Sequence, residues 1–303
     1  MEHTYRAFGL TIESELALPG LLFAEGPPDV RIQRAKIPVW SGEATVSYGE
    51  RTRIRGQQWA IRFQGLPFAG LVSDGNLVQF EADPNKDDTA SLHVLGSCTG
   101  ALLFQRGYMP IHANTVVTTN GTAMLAGKIG AGKSSTTLAL MRRGNRLLAD
   151  DISAVSFGAE AGDAPEVLSG FPRLKLWKAT LDHFECDPAG FRRLRPELEK
   201  YHFPVDDHFC AVPQKLNAIY ILQPQDDPGI RVRALSGLAR LEAIRTHLYK
   251  IRFPDAIRNW PDLLAKICGL ADAVRVNILE RPRDGNSLEA VAEAIENDLL
   301  KHA

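Results

Sequence analysis

Eight consecutive residues, Gly127 to Ser134 (G-K-I-G-A-G-K-S), constrain the fold of this chain more than any other stretch. They fit G-x-x-x-x-G-K-[ST] at each specified position. Glycines at 127, 130 and 132 let the backbone turn tightly and bring its N–H groups against phosphate oxygens with no Cβ in the way. Lys133 can reach the β- and γ-phosphates, and the Ser134 hydroxyl can join the coordination of Mg²⁺. The strand-like T-A-M-L-A precedes the loop, and Ser135 to Arg143 reads as a helix whose positive dipole end would point at a bound anion. A glycine-rich turn that matches by chance is the plain alternative, and the flanking strand and helix weigh against it. The cradle expected for a nucleotide is Gly127, Lys128, Ile129, Gly130, Ala131, Gly132, Lys133, Ser134 and Ser135, with ATP and Mg²⁺ as cofactors.

The 303 residues suffice for one large domain or two ordinary ones. With 45% apolar and 23% charged residues the chain has the profile of a soluble globular protein, and its net charge of −1 argues against a broadly electrostatic nucleic-acid or membrane surface. No apolar run reaches the roughly 18 residues of a membrane helix, and the N-terminus lacks a signal-peptide core. The cysteines, Cys98, Cys186, Cys210 and Cys268, form no C-x-x-C pair. Structural zinc and a disulfide framework are therefore not expected, and the compartment reads as a reducing cytoplasm.

Residues 6–90 are rich in β and turn signals. A-F-G-L-T-I-E-S is one strand candidate, D-V-R-I-Q-R alternates apolar and polar residues, and S-D-G-N-L-V-Q-F-E opens on a turn that suits a hairpin. The polar break Asp83 to Thr89 divides a β-rich N-terminal module, residues 1–88, from a nucleotide-binding catalytic domain, residues 89–303. The module reads either as a substrate-recruiting or oligomerising element or as a plain structural layer. Leu92 to Phe104 has near-helical apolar spacing and stops at Gly107.

Asn120-Gly121 between two apolar β-prone runs is a strong hairpin signal, so the strand entering the loop is expected to pair antiparallel with the one before it. A short strand, Arg146 to Ala149, leads to Asp150 and Asp151, placed to hold Mg²⁺ or to take a proton from an attacking hydroxyl. Two solvated turn aspartates are the alternative. Arg173 and Lys175, two apart on a strand, share a face and are candidates for phosphate or acidic-substrate contacts, or are simply solvated. Leu181 to His208 reads as loops and short helices. A buried strand (L-N-A-I-Y-I-L-Q), helices over Leu238 to Arg252 and Trp260 to Cys268, a last strand (V-R-V-N-I-L-E-R-P) and a helix from Ser287 to Leu300 complete the reading.

Ile111 to Val155 resembles the HPr kinase/phosphorylase family: His112 lies fifteen residues before Gly127, Asp150 seventeen after Lys133, and R-G-N-R-L-L-A-D-D closes the unit. The resemblance implies an α/β (α+β) kinase core with a mixed sheet, of the type shared with phosphoenolpyruvate carboxykinase. It implies an ATP-dependent serine kinase in which Asp150 accepts the serine proton, Ser134 and Asp151 lie near Mg²⁺, and His112 tunes the catalytic aspartate. The family's E-[VI]-R-G-L-G signature is replaced by V-L-S-G-F-P-R-L-K-L-W, and its K-x-G-R-N-L-A segment has no match. HPr itself and the phosphorylase reaction are thereby put in doubt, and the variant looks more like HPr-kinase-related proteins encoded beside peptide natural-product genes. Some of those phosphorylate a serine of a lasso-peptide precursor, so the acceptor implied is a peptide or small protein bearing a serine. A small-metabolite kinase and a non-catalytic ATP sensor are the competing readings. The family forms hexamers; the divergent N-terminal module leaves a homo-oligomer or a monomer open.

Overall fold

The structure, a computed structural model, describes residues 3–303 apart from 42–44, 48–49, 159–162, 196, 206, 251–259 and 284–286. The chain divides into two compact units, Met1–Pro110 with Leu248–Ala265, and Ile111–His247 with Lys266–Ala303.

Nine strands of the first unit form one sheet, in the order Leu22–Phe23, His3–Ala7, Leu10–Ser14, Val30–Arg34, Leu77–Ala82, Phe68–Ser73, Gln58–Phe63, Glu50–Arg55 and Thr45–Ser47. Val30–Arg34 runs parallel to both neighbours, with Val30 and Ile32 buried and Arg31 exposed, as its alternating sequence requires. The segment A-F-G-L-T-I-E-S is a hairpin rather than one strand, because Phe8 and Gly9 take positive φ values of 53° and 73° and reverse the chain. The expected D-G turn joins Phe68–Ser73 to Leu77–Ala82, with Asp74 and Gly75 at φ 53° and 66°.

The polar stretch Asp83 to Thr89, read as a boundary, lies inside the first unit. Its polar residues act as caps and partners: the Asp83 carboxylate accepts the Asn85 N–H at 2.9 Å, and Arg34 meets Asp87 at 2.6 Å. Helices Asp87–His93 and Thr99–Gln105 follow, joined by a π-helical turn at Val94–Cys98, and they also belong to this unit. Beneath them Glu50, 2% exposed, meets Lys250 Nζ at 2.8 Å and accepts the Ser97 and Thr52 hydroxyls at 2.5 and 3.2 Å.

The second unit is built on a six-stranded mixed sheet in the order Arg146–Ala149, Ala113–Thr118, Gly121–Ala126, Ala218–Gln225, Arg275–Pro282 and Arg231–Ala234. The Asn120-Gly121 hairpin forms as read, with Thr118 opposite Gly121. Beyond it Gly121–Ala126, Ala218–Gln225 and Arg275–Pro282 run parallel. Helices Lys133–Arg142 and Leu288–Leu300 press Leu138, Met141, Val291 and Ile295 onto Leu125, Tyr220 and Leu279. The mixed α/β character expected of this region is thus observed.

The stretch Leu181 to His208 differs from its reading. It contains strands Arg193–Arg195 and Leu198–Pro204, which join Arg173–Trp177 in a three-stranded antiparallel sheet. Its inner face carries Leu174, Leu176 and Tyr201 into the core, so L-E-K-Y-H-F-P is an alternating strand whose outer residues are polar. The helix expected to reach Arg252 spans Leu238–Thr246; residues 251 and 252 lie outside the described residues. Trp260–Ala273 runs past Cys268. All four cysteines are free thiols, and among the described residues no helix is long and apolar enough to cross a membrane.

Candidate active site

The loop Gly127–Gly132 connects strand Gly121–Ala126 to helix Lys133–Arg142. Gly132 stands at the helix N-cap in the left-handed region, at φ 94°, where an L side chain is strained. A Cβ there would also collide with the guanidinium of Arg281. At Gly127 a Cβ would sit 2.9 Å from the Leu222 carbonyl oxygen. Arg281, buried at the end of the last strand, donates from Nη1 to the Ala131 carbonyl at 3.1 Å and braces the loop from behind. Ile129 at the loop tip is 77% exposed. Lys133 folds back over its own loop and donates to the Gly127 carbonyl at 2.8 Å and to that of Lys128 at 3.4 Å. Burial lowers its pKa, while Asp151 and Asp150 pull it up. A lysine held this way sets a cation over the glycine loop.

Asp150 and Asp151 follow strand Arg146–Ala149. Asp151 takes φ 68°, a left-handed conformation that Asp tolerates better than most residues, and the reversal sends the two carboxylates into different surroundings. Asp150 is 4% exposed and accepts the Lys175 backbone N–H at 3.0 Å. Burial raises its pKa against the pull of Lys175, and the neighbouring Asp151 charge adds to the rise. For Asp151 burial acts in the same direction but loses, because Lys175 and His112 hold it well below the usual carboxylate range. Lys175 Nζ lies 2.9 Å from one of its oxygens and His112 Nδ1 3.2 Å from the other. His112 therefore touches the second aspartate rather than the first; its ring Nδ1 also lies 3.1 Å from the Asp151 carbonyl oxygen, and its backbone N–H donates to the His247 carbonyl at 2.8 Å.

Lys133, Ser134, Ser135, His112, Asp150, Asp151, Arg173 and Lys175 all fall in the second unit, around the loop and the aspartates. Ser135 is turned to Thr180, with the two hydroxyls 2.8 Å apart. Arg173, one alternative for which was a solvated charge, is 4% exposed; burial lowers its pKa to about 10, against the attraction of Asp150 and Asp151.

The sequence reading missed Asn114, whose amide donates to the Thr137 and Ser134 hydroxyls at 3.1 and 3.5 Å and whose oxygen accepts the Asp151 N–H at 3.3 Å. An amide side chain two positions after His112, in a strand otherwise of alanine, threonine and valine, was the available signal. Arg281, Lys200 and His202 were also missed. The last two became visible only once Leu198–Pro204 was seen as a strand, which pairs His202 with Lys175 and Lys200 with Trp177.

The mixed α/β unit thus gathers a glycine loop at a helix N-terminus, a lysine folded over it and two aspartates in unlike surroundings. No family model matches the chain, and no curated protein matches it. Among solved structures it is similar to the Hpr(Ser) kinase/phosphatase from Coxiella burnetii, at a TM-score of 0.35 and 14% identity, over 64% of this chain and 92% of that one. The likeness is a distant structural one.

Proposed function

We propose that the protein is an ATP-dependent kinase that transfers the γ-phosphoryl group to a serine hydroxyl of a peptide or small protein, such as a ribosomal natural-product precursor. The observation that carries this reading is the unlike placing of two adjacent carboxylates beside the glycine loop: Asp150 is buried against the Lys175 backbone N–H, while Asp151 is paired with Lys175 Nζ and His112, so that the first is tuned up and the second down. Environments that push neighbouring carboxylates apart assign acid–base roles. Asp150, the more basic of the two, takes the proton of the serine hydroxyl. Asp151, ionised throughout the working range, stays a fixed negative charge, aimed by His112 and Lys175.

The residues fit Mg²⁺, which keeps most of its waters and needs one or two protein oxygens besides those of the phosphates. Asn114 touches both the Ser134 hydroxyl and the Asp151 backbone, so one short side chain ties the two candidate ligands together. When bound, the metal neutralises charge on the phosphate oxygens. Lys133 releases the loop carbonyls for the phosphates, and the N–H groups of the glycine loop orient them. Lys175 and Arg173 meet the charge that develops on the transferred group.

Incubation with Mg²⁺, labelled ATP and serine peptides is expected to give phosphoserine. Asp150→Asn with full transferase activity would overturn the mechanism, and tight ATP binding with turnover no faster than that of Lys133→Ala would overturn the assignment as an enzyme.

A further inference from the structure

The face of the three-stranded sheet opposite its apolar side is strongly cationic. The register sets Arg173 and Lys175 on this face, with His202 opposite Lys175, Lys200 opposite Trp177 and Arg195 opposite Leu198. Its inner end is buried, with Arg173 4% exposed; its outer end is open, with Trp177 48% exposed and Lys200 Nζ 5.5 Å from the centre of the Trp177 ring. Asp150 and Asp151 lie at the inner end, and Lys175 is committed to Asp151. At the outer end neither Lys200 nor Arg195 stands in an ion pair among the described residues, although Lys200 still acts on Asp150 through space. The chain as a whole carries a net charge of −1, so this is a local concentration of positive charge rather than a basic protein. His202 sits in the middle; burial first, and then the charges of Arg173, Lys175, Arg192 and Lys200, push its pKa down to about 3.

We propose that this face is the docking surface for an acidic acceptor peptide, whose carboxylate is taken between Lys200 and Arg195 over the Trp177 ring while its serine reaches Asp150. The inference rests on the serine-kinase reading. The geometry also sets a spacing. Trp177 lies two strand residues beyond Lys175, about 7 Å, and an extended peptide covers that distance in two residues. The acidic residue recognised therefore lies about two positions from the serine.

The test uses a fluorescein-labelled serine peptide flanked by glutamates, with its glutamine counterpart, titrated by anisotropy into the full chain with ADP and Mg²⁺. The glutamate peptide is expected to bind at least about tenfold more tightly, a difference of about 1.4 kcal/mol. Arg195→Ala and Trp177→Ala are expected to erase that preference and leave ADP affinity in place, and Arg195→Glu to shift it toward a lysine-flanked peptide. Equal binding of the two peptides overturns the proposal, as does a preference that survives both variants. ADP affinity that falls in step with peptide affinity also overturns it, since the face is then a phosphate site. Charge-selective binding in a protein that transfers no phosphate overturns the kinase reading and leaves the docking face standing; transfer without charge selectivity does the reverse.

Discussion

Each unit buries a carboxylate, and the two are handled in opposite ways. Glu50 in the first unit is 2% exposed and meets an ammonium at 2.8 Å and two hydroxyls. Charge and hydrogen-bonding capacity are matched there, the condition under which a buried ion can be tolerated. Asp150 in the second unit is 4% exposed, yet it lies beside a second carboxylate and among Arg173, Lys175 and Lys200. Lys175 pairs with Asp151 at 2.9 Å, and Asp150 is left with the Lys175 backbone N–H and the longer-range pull of the cations. A matched buried charge holds a layer together, whereas a buried carboxylate whose pKa is perturbed by its neighbours is a feature of functional sites.

The comparison can be broken most directly at its two carboxylates. Asp150→Asn is expected to lower kcat about 10²- to 10⁴-fold, as loss of a general base does, with ADP affinity intact. It should also raise Tm: a carboxylate whose folded pKa is raised stabilises only at low pH and destabilises once ionised at neutral pH. Glu50→Ala should do the converse, costing about 3 kcal/mol in denaturant unfolding because Lys250 is left alone, while kcat per folded molecule is retained. If Asp150→Asn loses stability or Glu50→Ala keeps it, the two buried charges are not of different kinds.

Smaller effects sharpen the same contrast. Gly132→Ala is expected to weaken ADP binding about tenfold, since the left-handed position alone costs about 1–2 kcal/mol and Arg281 must also move; calorimetry with ADP reads it. Asp150 must be ionised to accept a proton, so kcat should fall as pH drops through its raised pKa. Lys175→Met removes the ammonium that opposes the rise and should move this acid limb to higher pH. The least effect is expected at His202. Its folded pKa is pushed from 6.5 to about 3, so between those values the unfolded chain binds the extra proton. Stability from this group is complete above pH 6.5 and declines as pH falls toward 3, and a Tm-against-pH curve for His202→Gln should be flatter over that window.

Much of the site was legible because it is local. The loop, its helix, the Asn120-Gly121 hairpin and strand Arg146–Ala149 with its aspartates each rest on short-range rules of turns, caps and periodicity, and they recur in the structure at nearly the expected bounds. What escaped was non-local. Asn114 matters through Ser134 and Asp151, twenty and thirty-seven residues away. Arg281 matters through Ala131, at a separation of 150 residues. Polar residues in Asp83 to Thr89 suggested a linker, yet they cap a helix and meet Arg34, partners that no local window contains.

By itself the sequence determined that a glycine-rich loop sits between a strand and a helix, because glycine conformational freedom and helix periodicity are properties of consecutive residues. It also determined that two aspartates end the next strand. Only the tertiary structure decided that the two differ. The difference depends on the dielectric around each carboxylate and on where Lys175 and His112 meet them: the Lys175 ammonium and the His112 ring reach Asp151, whereas Asp150 receives the Lys175 backbone N–H. Electrostatic tuning acts across space, over a few ångströms, whatever the distance along the chain.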